Sequence, residues 1–326
     1  MRRVLLATNA LCARGLQRRW LASRRRRVVV AAGGGHPRNA FRGTYDFPRL
    51  VAAHAPLAKF VIPAAESRGG RDTVDFGDAE AVRALNAALL AADYGVDAWD
   101  LPEGALCPPV PSRADYVHHV ADVLAEGRKA PPEGRRVVGL DVGCGASLVY
   151  PLLGAGAYGW SWLASESDPD YFSHAASIAD RSPAAVDIRR QEDANAIFDG
   201  ILEADEVVDF TMCNPPFYES RAAFVKANAR KRSGLARNRE KRNPGGGAAA
   251  GERDGSDNFR GSDAELWCAG GEVAFIERII TDSARHSRSA LWHSTLLSRK
   301  ARLPAVEKAL ARARAAATRV VATGRG

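Results

Sequence analysis

Residues 207–217 read Val-Val-Asp-Phe-Thr-Met-Cys-Asn-Pro-Pro-Phe, an apolar run closed by Asn214, Pro215, Pro216 and Phe217. The run has the composition of a buried strand, and the four closing residues form a stiff turn at its carboxyl end, where open α/β sheets bind ligands. Proline fixes φ and has no N–H to donate, so the carbonyls of Asn214 and Pro215 can be aimed outward as acceptors for an amine. Phe217, or Tyr218 beside it, offers a face on which a planar ring can stack. The chemistry this turn suits is recognition of, and reaction at, an NH2 group carried by a planar ligand.

A second constellation lies upstream, in Val137-Val-Gly-Leu-Asp-Val-Gly-Cys-Gly-Ala-Ser147. A β-branched run leads into a glycine-rich turn and then a helix, so backbone can approach a ligand where side chains would block it. Gly143-x-Gly145 lacks the third glycine of a dinucleotide fingerprint and the Gly-Lys-Ser/Thr of a phosphate loop, which favours a nucleoside over a pyrophosphate. The next apolar run, Trp160-Ser-Trp-Leu-Ala-Ser-Glu166, ends in a carboxylate at the spacing of about 20 residues expected of an acid that accepts from ribose hydroxyls. Alone, the glycine turn could be a loop without a ligand and Glu166 a solvated strand end. In this order, ahead of Asn-Pro-Pro-Phe, they look like the S-adenosylmethionine site of a Rossmann-like methyltransferase.

The segments Leu140-Asp-Val-Gly-Cys-Gly-Ala-Ser-Leu-Val-Tyr-Pro-Leu-Leu-Gly154, Leu163-Ala-Ser-Glu166, Cys213-Asn-Pro-Pro-Phe217 and Gly270-Gly-Glu-Val-Ala-Phe-Ile-Glu-Arg-Ile-Ile280 resemble the adenine-N6 RNA methyltransferases. That family includes the bacterial large-subunit ribosomal RNA enzyme and the eukaryotic small nuclear RNA enzyme. The resemblance runs from about His36 to Arg325 and rests most on the Ala-Ser-Leu-Val-Tyr-Pro-Leu-Leu-Gly stretch. It implies a Rossmann-like class I α/β fold with a small, mainly helical N-terminal module. It implies S-adenosylmethionine as cofactor, lined by Arg113, Gly143, Ser147, Glu166 and Asn214, with Arg113 in Val110-Pro-Ser-Arg113-Ala-Asp-Tyr116 reaching the methionine carboxylate. It also implies a catalytic turn of Asn214, Pro215, Pro216 and Phe217 and a structured RNA, ribosomal or small nuclear, as substrate. Asn-Pro-Pro-Phe alone would equally permit methylation of a guanine N2 or a glutamine amide, and a non-catalytic RNA-binding module of the same fold is a further alternative.

Three units are expected: an Arg-rich leader at 1–35, disordered or targeting; an RNA-binding module at 36–130; and a methyltransferase domain at 131–326. The net charge is +8, yet residues 1–45 hold eleven arginines and no acid, so the rest of the chain is slightly acidic. Within that acidic body, residues 221–242 hold nine Lys/Arg against one Glu, immediately after the Asn-Pro-Pro-Phe turn. Such a run suits a phosphate backbone. The RNA-contacting residues are therefore expected to be Lys226, Arg230, Lys231 and Arg232, together with Arg38 and Arg42 in the basic and aromatic arm His36–Tyr45. A flexible loop is expected at 218–262, which has no periodicity and is too long for an ordinary connection.

Five cysteines, at 12, 107, 144, 213 and 268, show no paired or metal-ligand spacing, so no structural zinc is expected. No apolar run is long enough to span a membrane, and a monomer is expected. An acid-free, Arg-rich N-terminus fits a mitochondrial or plastid transit peptide, or a nuclear signal at Arg24–Arg27; the family resemblance points to nucleus or cytoplasm. Strands are expected at 136–142, 161–166, 207–213 and 289–297, and helices at Phe47–His54, Asp78–Asp93, Glu272–Arg285 and Pro304–Arg319. The sheet is expected to lack its last strand, leaving an uncovered edge.

Overall fold

The computed structural model describes residues 3–8, 27–30, 35–67, 69–126, 128–225 and 266–323. Eight strands form one sheet in the order β2-β8-β1-β7-β6-β3-β4-β5. Along the chain these are β1 (Arg3–Thr8), β2 (Arg27–Val30), β3 (Val138–Val142), β4 (Ser161–Glu166), β5 (Val186–Arg190), β6 (Val208–Cys213), β7 (Ala290–Leu297) and β8 (Ala317–Ala322). From β3 the chain moves outward through β4 and β5, then crosses to β6 and β7 on the other side, all in parallel. Reversal of direction between β3 and β6 creates the crevice in which doubly wound sheets bind their ligands.

Helices cover both faces. On one lie α1 (Phe47–Ala53), α2 (Ala79–Tyr94), α3 (Val110–Leu124), α4 (Val149–Tyr158) and α5 (Pro169–Arg181). Their apolar side chains merge with those of β1, β4, β6 and β7 in a single cluster that includes Leu89, Tyr116, Leu152, Trp162 and Phe210. The N-terminal helices therefore share one core with the sheet and have no separate one. On the other face α6 (Gly271–Arg285) and α7 (Leu303–Arg312) pack Ile276, Ile280, Val306 and Leu310 against β1, β7 and β8. No helix among the described residues is long and apolar enough to cross a membrane.

Local chemistry fixes the helix ends. Asp78 caps α2 by accepting from the Glu80 and Ala81 N–H groups, and Gly95 at φ 68° closes it in the left-handed region. Helix α7 stops at Arg312, well short of the Arg319 expected from sequence. Arg314 turns left-handed at φ 54°, and the β-branched residues that follow pair as β8.

The N-terminus departs most from expectation. Within the expected leader, Arg3–Thr8 is an interior strand, antiparallel to β7 on one side and to β8 on the other, while residues 9–26 and 31–34 lie outside the described residues. Its side chains alternate as a doubly covered strand requires: Val4 and Leu6 enter the large core, and Leu5 enters the α6–α7 cluster. Arg27–Val30 then adds in parallel to the far side of β8. Strand β8 is thus paired on both sides, by β1 and by β2.

Candidate active site

Strand register brings the two motifs together. Val142 pairs with Cys213, so the residues that follow, Gly143 and Asn214, leave neighbouring strands side by side at the crevice. Gly143 adopts φ 70° and Gly145 φ 63°, and a Cβ built at Gly143 would meet nothing within 4 Å. The turn therefore presents bare backbone to open space, a cradle that a side chain would fill. Glu166, at the end of β4, fastens it. Its Oε2 accepts from the Gly145 N–H at 2.8 Å, and its Oε1 accepts from the Ser167 and Asp168 N–H groups at 2.8 and 2.9 Å. Three of about four acceptor positions are used, so one on Oε2 is left for a ligand hydroxyl. Burial raises the Glu166 carboxyl above its ordinary pKa, against the lowering effect of those three N–H bonds.

Helix α3 supports the other side. Pro109 and Pro111 set its start, where a missing N–H costs nothing. Arg113 and Tyr116, one turn apart, project toward the end of β6. Arg113 Nη1 donates to Asn214 Oδ1 at 3.2 Å while its guanidinium lies 5.7 Å from the centre of the Tyr150 ring. The Tyr116 hydroxyl is bonded to Ser294 Oγ at 2.8 Å and accepts from the Cys213 N–H at 3.4 Å. The end of β6 and the Asn214 side chain are thus both tied to α3. Burial pushes the Cys213 thiol well above its ordinary pKa, which removes it as a nucleophile.

One pocket is lined by Arg113, Gly143, Gly145, Ser147, Glu166, Asn214 and Pro216, and also by Tyr150 and Phe275. Pro215 is buried beside it and Phe217 is half-buried. Tyr150 lies within the Ala-Ser-Leu-Val-Tyr-Pro motif, where the sequence alone assigns it no role. Phe275 carried no signal beyond its place on an amphipathic helix. Ser147 is held by the Trp99 indole, which donates to its carbonyl at 2.9 Å, and the next residue, Leu148, is fully buried with φ 52°. That left-handed leucine costs about 1–2 kcal/mol, tolerated where surrounding packing fixes the backbone. Behind the turn, Asp141 is fully buried with neither carboxylate oxygen hydrogen-bonded among the described residues. Burial, reinforced by Glu166 and opposed by Arg113, holds its carboxyl well above the usual range.

The residues expected to touch RNA fare differently. Arg38 is exposed and anchored at the surface: its guanidinium donates to Asp122 Oδ1 at 2.7 Å, to the Tyr158 hydroxyl at 2.9 Å and to the His118 carbonyl at 3.1 Å. His36 and Asn39 tie the same arm to Asp115 at 2.7 and 2.6 Å. Arg42 is exposed. Lys226, Arg230, Lys231 and Arg232, with most of the expected flexible loop, lie outside the described residues. His36, His119 and Asp122 place possible ligand atoms within 4.8 Å of one another. Yet His36 Nδ1 accepts from the Arg38 N–H, so Nε2 carries the proton and donates to Asp122 at 2.8 Å. With Arg38 on the other carboxylate oxygen, this group is an anchor for the arm.

A switch-point crevice with a glycine turn on one strand, an acid on the next and Asn-Pro-Pro-Phe on the third defines a class I S-adenosylmethionine-dependent methyltransferase. The open cradle at Gly143, the spare acceptor on Glu166 and the orphan carboxyl of Asp141 fit such a cofactor. The profile of a family of RNA methyltransferases matches residues 30–326, and the chain belongs to that family. It is 41% identical over 294 residues to the ribosomal RNA large subunit methyltransferase F of Pseudomonas putida, covering 89% of each chain. To the protein of the same name from Cronobacter sakazakii it is 44% identical over 281 residues, 85% of each. Among solved structures it is similar to the human METTL16 catalytic domain in complex with a MAT2A 3′UTR hairpin (TM-score 0.64, 29% identity, 86% and 88% covered). It is also similar to the N-terminal domain of human METTL16 in complex with SAH (TM-score 0.60, 28% identity, 85% and 89% covered).

Proposed function

We propose that this protein methylates the N6 amine of an adenine in structured RNA. The observation that carries the proposal is the Val142–Cys213 register, which sets a nucleoside-sized cradle beside an amine-accepting, ring-stacking turn. The RNA is suggested by the names of the relatives, ribosomal RNA methyltransferases and a hairpin-bound catalytic domain.

Bound S-adenosylmethionine supplies an electrophilic methyl group on a sulfonium. Glu166 would accept from its ribose, the glycine turn would let backbone approach, and Arg113 would hold its carboxylate. Adenine leaves its stack to reach the turn, at a cost of a few kcal/mol that stacking on Phe217 partly offsets. Its N6 is a poor nucleophile because the lone pair is delocalised into the ring. Asn214 Oδ1 has two lone pairs; Arg113 takes one and the amine the other, and the Pro215 carbonyl accepts the second amine hydrogen. Held so, the nitrogen would present its lone pair to the methyl group; the N–C bond would form as the S–C bond breaks to leave S-adenosylhomocysteine, and the proton, made acidic by alkylation, would pass to water. The N-terminal helices with Arg42, and the basic run with Lys226, Arg230, Lys231 and Arg232, are the surfaces we assign to the RNA backbone.

Incubation with an isotope-labelled methyl donor and total RNA, followed by nucleoside mass spectrometry, tests this reading. Labelled N6-methyladenosine is expected. Label in N2-methylguanosine or in protein glutamine would move the assignment to those amines, and cofactor binding without any labelled product would favour a non-catalytic RNA-binding role.

A further inference from the structure

Behind the catalytic turn, away from the pocket, the first turn of α6, the end of β7 and the short 3-10 turn Lys300–Arg302 meet around one carboxylate. Glu272 is 0% exposed. Its Oε1 accepts from the Ser298 N–H at 2.7 Å, and its Oε2 accepts from Ser298 Oγ at 2.8 Å and from Arg302 Nη1 at 2.7 Å. The same Nη1 reaches the carbonyl oxygen of Phe217 at 3.4 Å. Backbone restraints converge on the next two residues. The Tyr218 N–H donates to the Leu266 carbonyl and the Cys268 N–H to the Tyr218 carbonyl, and a Cβ on Gly271 would lie 2.8 Å from Glu219 Cγ.

Burying a carboxylate and a guanidinium together rarely adds stability, because desolvation offsets most of the attraction. What such a pair does well is fix geometry, since a planar guanidinium bound to a fixed carboxylate has little freedom left. Here the fixed point lies on α6 and the thing fixed is the backbone that carries the Phe217 ring.

We propose that Glu272 and Arg302 are positioning residues for methyl transfer: the buried carboxylate holds the guanidinium, which holds the Phe217 carbonyl and so the ring against which the target base is placed. This rests on the reading of Asn214–Phe217 as the base-binding turn. Neither residue touches the pocket, so cofactor binding is independent of them, and the effect falls on the rate from the bound complex.

The test uses the full chain with Arg302→Met, Arg302→Lys and Glu272→Gln, following single-turnover methyl transfer, KM for RNA, cofactor affinity by calorimetry and melting temperature. Arg302→Met is expected to lower the rate by about tenfold or more while cofactor affinity stays within about twofold and KM within about threefold, the signature of a contact that matters in the transition state. Arg302→Lys should recover part of the rate, because an ammonium can still bridge Glu272 and the carbonyl. If Arg302→Met fails to fold, Glu272→Gln, which keeps the shape and an acceptor for Ser298, should show the same selective fall. Parent-like rates in whichever of these variants folds, or a loss of rate matched by an equal loss of cofactor affinity, overturn the proposal. A parent protein that methylates no RNA overturns the functional reading as well; an active parent with an unaffected Arg302→Met overturns this inference alone.

Discussion

Replacing Glu166 with glutamine removes one acceptor and one charge while keeping the side chain's shape. In the native site Oε1 serves the Ser167 and Asp168 N–H groups and Oε2 serves Gly145. A glutamine can place its amide oxygen at the doubly used position, which turns its NH2 toward the Gly145 N–H. One charge-assisted bond is then lost, donor faces donor, and the free lone pair assigned to the ribose disappears. A hydrogen bond to a charged group contributes about 1.5–3 kcal/mol. At about 1.4 kcal/mol per tenfold, affinity for S-adenosylmethionine should fall roughly 10- to 150-fold by calorimetric titration. Alanine is the poorer probe, because it orphans all three backbone donors and lets the glycine turn itself shift. Cofactor affinity within about twofold of the parent at an unchanged melting temperature would refute the assignment of Glu166.

Asn214→Ala should leave cofactor and RNA binding nearly intact and lower turnover by about 10²-fold or more, since an acceptor used in the transition state contributes roughly 3–4 kcal/mol; near-parent turnover would remove Asn214 from the mechanism. Changing Lys226, Arg230, Lys231 and Arg232 to alanine should flatten the plot of log RNA affinity against log salt by roughly 0.7–0.9 per lost phosphate contact, with cofactor affinity unchanged. An identical slope in filter binding would make the run an ordinary solvated segment. Burial lowers His118, His119 and His293 to about 4, whereas in the unfolded chain each titrates near 6.5. The unfolded state therefore binds more protons between these values, so stability present above about pH 6.5 should be lost toward pH 4, with up to three protons from the histidines, partly offset by the Asp141 and Glu166 carboxyls that burial keeps protonated in the fold to higher pH than in the unfolded chain, read as a positive slope in urea unfolding. A flat profile across that window would show that these histidines are charged in the fold.

The site was legible where chemistry is concentrated in short runs. Asn214, Gly143 and Glu166 each end an apolar run, and a parallel sheet can only bring such ends to one edge. What the sequence hid depends on how helices dock. Arg113 meets Asn214 because α3 lies across the crevice, and Phe275 enters the pocket from a helix whose pattern speaks only of an apolar face. Charge alone does not show that Arg38, expected to meet phosphate, also bonds Asp122 and Tyr158 through its Nε and Nη2. At the N-terminus, composition misled: eleven arginines in the first 45 residues mask Val4-Leu5-Leu6, three apolar residues that alternate between two cores.

That first strand also constrains the route by which the protein folds. Arg3 pairs with Leu297 and with Ala322, so β1 finds both of its antiparallel partners very far away along the chain. Closing so long a loop costs entropy that grows by only about 0.6 kcal/mol per doubling of length, but pairing between residues so far apart in sequence is slow. During that interval Val4–Leu6 is an unpaired apolar strand, open to other chains. The half-sheet β3 to β6 can form from contiguous sequence, whereas β7 and β8 become neighbours through β1 only when the N-terminus arrives. Refolding should accordingly show an early phase in which the pocket strands are protected from hydrogen exchange and a slower, concentration-sensitive phase in which β1, β7 and β8 become protected together.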